Sequence, residues 1–178
     1  MPLSFFRKKQ PDSDWAKLAR PLYESSLPLA DRLHAMLIRG PEPRGGLAEL
    51  TKFTRADVTR LDDISEETGA LVELLKSLVR PRSSEARSAD GSLRLALKKL
   101  HNASRIGRDC ASWGVELGSL RPGPPPGRRL RTGGFDRIAR LARSNSTTLN
   151  RGLQNLATTA GRFRSLGERL RLIEKSQE

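Results

Sequence analysis

Two histidines, one cysteine and a short acidic cluster are the residues of this chain with the most reactive chemistry to offer, and their spacing does not bring them together. His34 and His101 fall on different helical runs. Neither has a second metal-type residue at i+3 or i+4 on its face, so neither begins a metal site. Cys110 has no other cysteine to pair with and lies in a row of small residues, where an inert buried thiol is expected rather than a nucleophile. Asp62, Asp63, Glu66 and Glu67 offer carboxylates for a cation, but helical spacing spreads them along a solvated flank. The chain has no Gly-x-x-x-x-Gly-Lys phosphate loop, no Gly-x-Gly-x-x-Gly after a strand, no His-Glu-x-x-His and no paired cysteines. The expectation is a non-enzymatic protein with no metal, no cofactor and no small-molecule substrate.

Binding is the chemistry the sequence favours. Thirty-three basic residues stand against twenty acidic ones in 178 residues, a net charge of +13. The excess is uneven: residues 121–178 hold thirteen cations and four anions, whereas residues 21–80 hold eight and ten. On a heptad register, Arg137, Arg140, Arg143, Arg151, Arg164 and Arg171 fall opposite an apolar seam, and Arg162 and Arg169 fall beside it. Such a basic face can dock an acidic protein surface, neutralise nucleic-acid phosphates in a salt-dependent way, or lie on anionic lipid heads. The N-terminal Phe5, Phe6, Arg7, Lys8 and Lys9 set an apolar pair beside three cations, a pattern suited to contact with an anionic membrane surface.

The elements that must position these residues are helical. Aromatic residues are only 4% of the chain, while Leu, Ala, Arg and Gly dominate. That composition fits rows of helices and not sandwiches or barrels. Residues 12–39 read as two short helical pieces separated by Pro21 and Pro28, because proline removes a donor and constrains the residue before it. Leu47–Val79 reads as a second run, with a seam of Leu47, Leu50, Leu61, Ile64, Leu71, Leu75 and Leu78 that also includes Thr54, Asp57 and Thr68. Arg80–Gly91 reads as a linker, with Ser88, Asp90 and Ser92 as candidate caps for the third run, Leu93–Leu120. That third run carries a seam of small residues, Ala96, Ala103, Gly107, Cys110 and Gly114. Glycine inside a helix costs about 0.5–1 kcal/mol relative to alanine, so such a row implies a close approach of another helix.

The stretch Arg121-Pro-Gly-Pro-Pro-Pro-Gly127 favours an extended spacer. Beyond it, Phe135, Ile138, Ala142, Asn145, Leu149, Gly152, Leu156, Thr159, Phe163, Leu166, Leu170 and Ile173 hold a heptad pattern through nearly six repeats, the signature of a coiled coil or long bundle helix. The organisation expected is therefore a flexible basic N-terminus over residues 1–11, a helical bundle over 12–120, a Pro/Gly/Arg-rich linker over 121–132 and a long basic amphipathic helix over 133–175. Phe135, Ile138, Leu149, Leu156, Phe163, Leu166, Leu170 and Ile173 form its packing seam, within the chain or between chains. Residues 21–80 are net negative and 121–178 strongly positive, so the second and fourth runs are expected to complement one another. The N-terminus lacks the apolar length of a signal peptide or membrane helix, and the lone cysteine fits a reducing compartment, so an intracellular, cytoplasmic setting is expected. The function that follows is an adaptor or scaffold working through protein–protein interaction or self-association to an oligomer. Sequence-independent nucleic-acid binding and peripheral membrane association are the alternatives.

Overall fold

The computed structural model describes residues 11–39, 53–119, 154, 163 and 165–175. The protein is all-α, with no strand among the described residues: α1 spans Asp12–Arg39, α2 Arg55–Ser77 and α3 Ser84–Ser119. A further helical stretch, residues 165–175, is called α4.

α1 runs unbroken through Pro21 and Pro28, which corrects the reading of two short pieces. Each proline lies on an exposed position and the two are seven residues apart, so both rings face solvent. The carbonyls they leave unbonded, four residues earlier, belong to the exposed Lys17 and Glu24, where water can reach them. An interior proline costs about 3 kcal/mol. Against that, α1 buries Trp15, Leu22, Leu29, Leu33 and Leu37 in the core, each contributing about 1.5–3 kcal/mol.

α2 starts later than the leucine pattern implies. Thr54 is its N-cap and not a seam residue: Asp57 N–H donates to Thr54 Oγ1 at 3.2 Å, while Thr54 N–H donates to Asp57 Oδ2 at 2.9 Å. This reciprocal pair satisfies two donors that a bare helix start leaves open. Phe53 before the cap is part of the core cluster and the half-buried Val58 one turn in packs against that cluster, as in a hydrophobic staple. Residues 47–50 of the expected run lie outside the described residues.

The linker is shorter than expected, because α3 begins at Ser84. Ser83 is its cap, accepting from Ala86 N–H at 3.1 Å, and Ser88, Asp90 and Ser92 lie inside the helix. The turn is fixed from outside by Asp12, which accepts the N–H of Arg82 at 2.7 Å and of Ser83 at 3.0 Å. Burial pushes the Asp12 carboxyl up, but these N–H bonds, the Ser83 hydroxyl and the Arg82 guanidinium outweigh it and leave its pKa below the ordinary value. A carboxyl depressed on folding stabilises the protein above the ordinary pKa of about 3.9, and that contribution is lost as pH falls through the folded value. Asp12→Asn is therefore expected to lower the urea midpoint at pH 7 and to flatten the loss of stability below pH 4. Parallel urea titrations of both proteins across pH 2–7 check this.

Gly91 sits within α3, exposed, and a Cβ built there meets nothing within 4 Å. Gly91→Ala should therefore stabilise the protein by about 0.5–1 kcal/mol through helix propensity alone, measurable as a raised thermal midpoint.

α2 and α3 form an antiparallel hairpin, and α1 packs on both. The small seam of α3 is where they meet. Gly107 is buried, and a Cβ there would lie 2.9 Å from Leu37 Cδ2, 3.4 Å from Leu61 Cδ2 and 3.8 Å from Leu33 Cδ1. Ala96, Ala103, Cys110 and Ala111 are likewise buried. Three helices thus converge at a point that a larger residue would hold apart.

α4 packs on α1 within the same chain. Phe163, Leu166, Leu170 and Ile173 are buried. The Tyr23 and Phe163 rings are 5.7 Å apart at 56°, and Tyr23 Oη donates to the Phe163 carbonyl at 2.8 Å. Gly167 lies against Tyr23, and Arg20 pairs with Glu174 at 2.9 Å. The remainder of the expected long helix from residue 133, and the linker before it, lie outside the described residues.

Candidate docking groove

α3 carries a row of basic residues whose spacing is heptad: Arg87, Arg94, His101 and Arg108 are seven apart, and Lys98 and Arg105 are seven apart between them. At 100° per residue the six fall within an arc of about 80° along about 32 Å of helix. The bundle uses part of this row. Arg94 Nε pairs with Asp90 Oδ2 at 2.8 Å, and Arg108 reaches Asp62 at 3.1 Å and Asp109 at 2.9 Å. Arg87, Lys98 and Arg105 are exposed and make no ion pair among the described residues. Like charges one turn apart, such as Arg94 and Lys98, cost a helix about 0.2–0.5 kcal/mol, so the row does not exist for the helix's own stability.

Beside this row lies a groove of about 420 Å³ lined by α2 and α3 alone. Val72, Leu75 and Leu97 give it an apolar floor. Arg94, Lys98 and His101 wall it from α3, and Glu73 and Lys76, paired with each other at 2.6 Å, wall it from α2. The α2 wall is therefore neutral overall, and the α3 rim carries spare positive charge. Arg94 Nη2 and Asp90 Oδ1 are buried without a hydrogen-bond partner. They are the two atoms that a second prong of the Asp90–Arg94 pair would join.

A polar cluster beneath the groove orients His101. Thr68, fully buried, donates its hydroxyl to the Ile64 carbonyl at 2.8 Å, and Ser104 donates to the His101 carbonyl at 2.7 Å. His101 Nδ1 lies 3.2 Å from Thr68 Oγ1, a hydrogen bond in which an Nδ1–H ring donates and an Nε2–H ring accepts. The ring lies over Gly69, where a Cβ would be 3.2 Å from His101 Cε1. The hydroxyls around His101 are held in backbone hydrogen bonds, so what this site presents is a shaped, charged surface.

Most residues of the expected basic face lie elsewhere in the chain. Arg137, Arg140, Arg143, Arg151, Arg162 and Arg164 lie outside the described residues, as do Phe135, Ile138, Leu149 and Leu156 of the seam and the N-terminal Phe5, Phe6, Arg7, Lys8 and Lys9. Of the two that are described, Arg169 donates to the Glu85 carbonyl at 3.4 Å, and Arg171 is exposed. The complement expected between the second and fourth runs is not what the described ion pairs form. The acids of α2 pair with α1 and α3, as Arg32–Glu67 at 3.4 Å and Arg108–Asp62, while α4 contributes an acid, Glu174, to α1. Local register brings those groups together, and net charge over long segments does not report it.

Cys110 is buried, and that burial, with Asp109 nearby, pushes its thiol up to about 11, far from a nucleophile's range. His34 is exposed on α1. Among the described residues no three metal-type side chains converge, and no helix is long and apolar enough to cross a membrane. The cation row of α3 went unread in the sequence, although its period of seven was there to find. No family model, curated protein or solved structure matches this chain.

Proposed function

We propose that this chain is a non-enzymatic helical adaptor or scaffold that docks an acidic protein partner. One observation carries the reading: Arg87, Lys98 and Arg105 stand exposed in a row on α3 with no ion pair among the described residues, and Lys98 lines an apolar-floored groove. Unpaired cations on a rigid helix contribute little to folding and much to the choice and orientation of a partner. The close-packed convergence at Gly107 supplies the rigid support such a surface needs. The arginines of residues 137–164 extend the basic character and serve the same partner. Coiled-coil packing through the C-terminal seam serves assembly.

Nucleic-acid binding is less well supported on the described surface, because Glu66 and Glu73 lie on α2 beside the row and would repel a phosphate backbone. The test is a fluorescence titration of the full chain with an acidic helical peptide and, separately, with duplex DNA over a salt series. The adaptor reading expects the peptide to bind more tightly than the duplex at physiological salt. Tighter binding of the duplex, falling steeply with salt, would replace that reading with the nucleic-acid one.

A further inference from the structure

We infer that the α2–α3 groove is the seat of an amphipathic acidic helix, which enters with its apolar face over Val72 and sets carboxylates against Lys98 and, one heptad further along α3, Arg105; this rests on the adaptor reading above and names where and how the partner sits. The groove's volume, about 420 Å³, suits a row of side chains from one helix and not a whole domain. Its floor is apolar, so the occupant has an apolar face. Its α3 rim is basic: Lys98 lines the groove, and Arg105 continues the row one heptad further along the helix, about 10 Å away along the axis. Carboxylates at i and i+7 of a helix lying along the groove fall at the same interval.

The opposite rim decides between classes of partner. Glu73 is paired with Lys76, and Asp62 is taken by Arg108, leaving Glu66 exposed on α2 without an ion pair among the described residues. A polyphosphate chain is negative on every side and meets Glu66 and Glu73 unfavourably. A helix can turn a Lys or Arg toward them while its acids face α3. A second copy of this chain is a poorer fit, since its α2 rim offers one unpaired acid on this face against three unpaired cations of α3. His101, held by Thr68, adds one polar ring to the groove wall.

The experiment uses the full chain, its K98E/R105E variant and its R169Q/R171Q variant. The probe is a 21-residue helical peptide with Leu on one heptad face and Glu flanking it at i and i+7. Lys98 and Arg105 are exposed, and unchanged circular-dichroism melting verifies that the variant folds. The expected result is a loss of affinity of about tenfold or more with K98E/R105E, little change with R169Q/R171Q, and recovery when the flanking Glu of the peptide are exchanged for Lys. Peptide binding that K98E/R105E leaves unchanged would overturn the groove as the seat while leaving the adaptor reading intact. Binding to none of the three proteins would overturn both. Light scattering that shows an oligomer of the chain alone, dissolved by K98E/R105E, would give the groove to a second copy. Duplex DNA that binds and is lost with the same variant would give it to nucleic acid.

Discussion

Leu61→Ala is expected to destabilise the chain by about 2–5 kcal/mol, the cost of removing a buried leucine whose space cannot close. Leu61 is fully buried on α2 and stands with Leu37 and Leu33 of α1 around Gly107 of α3. Each of the three helices contributes to that point, so none can shift inward to fill the gap without leaving its other contacts. A domain of this size has a total stability of about 5–15 kcal/mol, so the substitution removes a large share of it. Urea unfolding followed by circular dichroism reads the effect. With a slope of about 1–3 kcal/mol per molar, the midpoint should fall by roughly 1 M or more. A loss below about 1 kcal/mol would mean that the three helices are not locked together here.

Gly107→Val is expected to cost about 3 kcal/mol by the opposite route, overpacking. A Cβ at this position already lies 2.9 Å from Leu37 Cδ2 and 3.4 Å from Leu61 Cδ2. Alanine meets the end of one leucine, which can rotate aside. Its helix-propensity gain of about 0.5–1 kcal/mol offsets much of that strain, leaving Gly107→Ala near neutral. Valine adds two further methyl groups in a confined rotamer and has no such escape. The contrast with Gly91→Ala separates packing from propensity, since both changes fall on the same helix and only one meets a neighbour. Thermal unfolding of Gly91→Ala, Gly107→Ala and Gly107→Val should rank them in that order, the first above the parent and the last well below it.

The all-helical class was legible in the leucine, alanine and arginine composition, and the row Ala96, Ala103, Gly107 and Cys110 gave away the close approach on α3 because small side chains in a helix demand a reason. Local signals misled where tertiary packing overrode them. Pro21 and Pro28 read as breaks, yet both face solvent and the apolar row of α1 carries the helix through them. Ser88, Asp90 and Ser92 read as caps because Ser83 and the distant Asp12 were not seen as the groups that terminate the turn. The candidate site was the least legible. Charge totals drew attention to residues 121–178, whereas residues 81–120 carry a modest excess in which the order, not the sum, holds the information. A search for basic residues at a period of seven finds Arg87, Arg94, His101 and Arg108. The pairing of Thr68 with His101 across the hairpin, 33 positions apart, depends on the register of two packed helices, and no local pattern encodes it.

Amide hydrogen exchange of the full chain, with and without the acidic amphipathic peptide at saturating concentration, tests the central claim most directly. The account expects new protection in residues 69–76 of α2 and 94–105 of α3, the two walls of the groove, with α1 unchanged. Protection that appears on α1 or in residues 165–175 while the groove exchanges as before would contradict it.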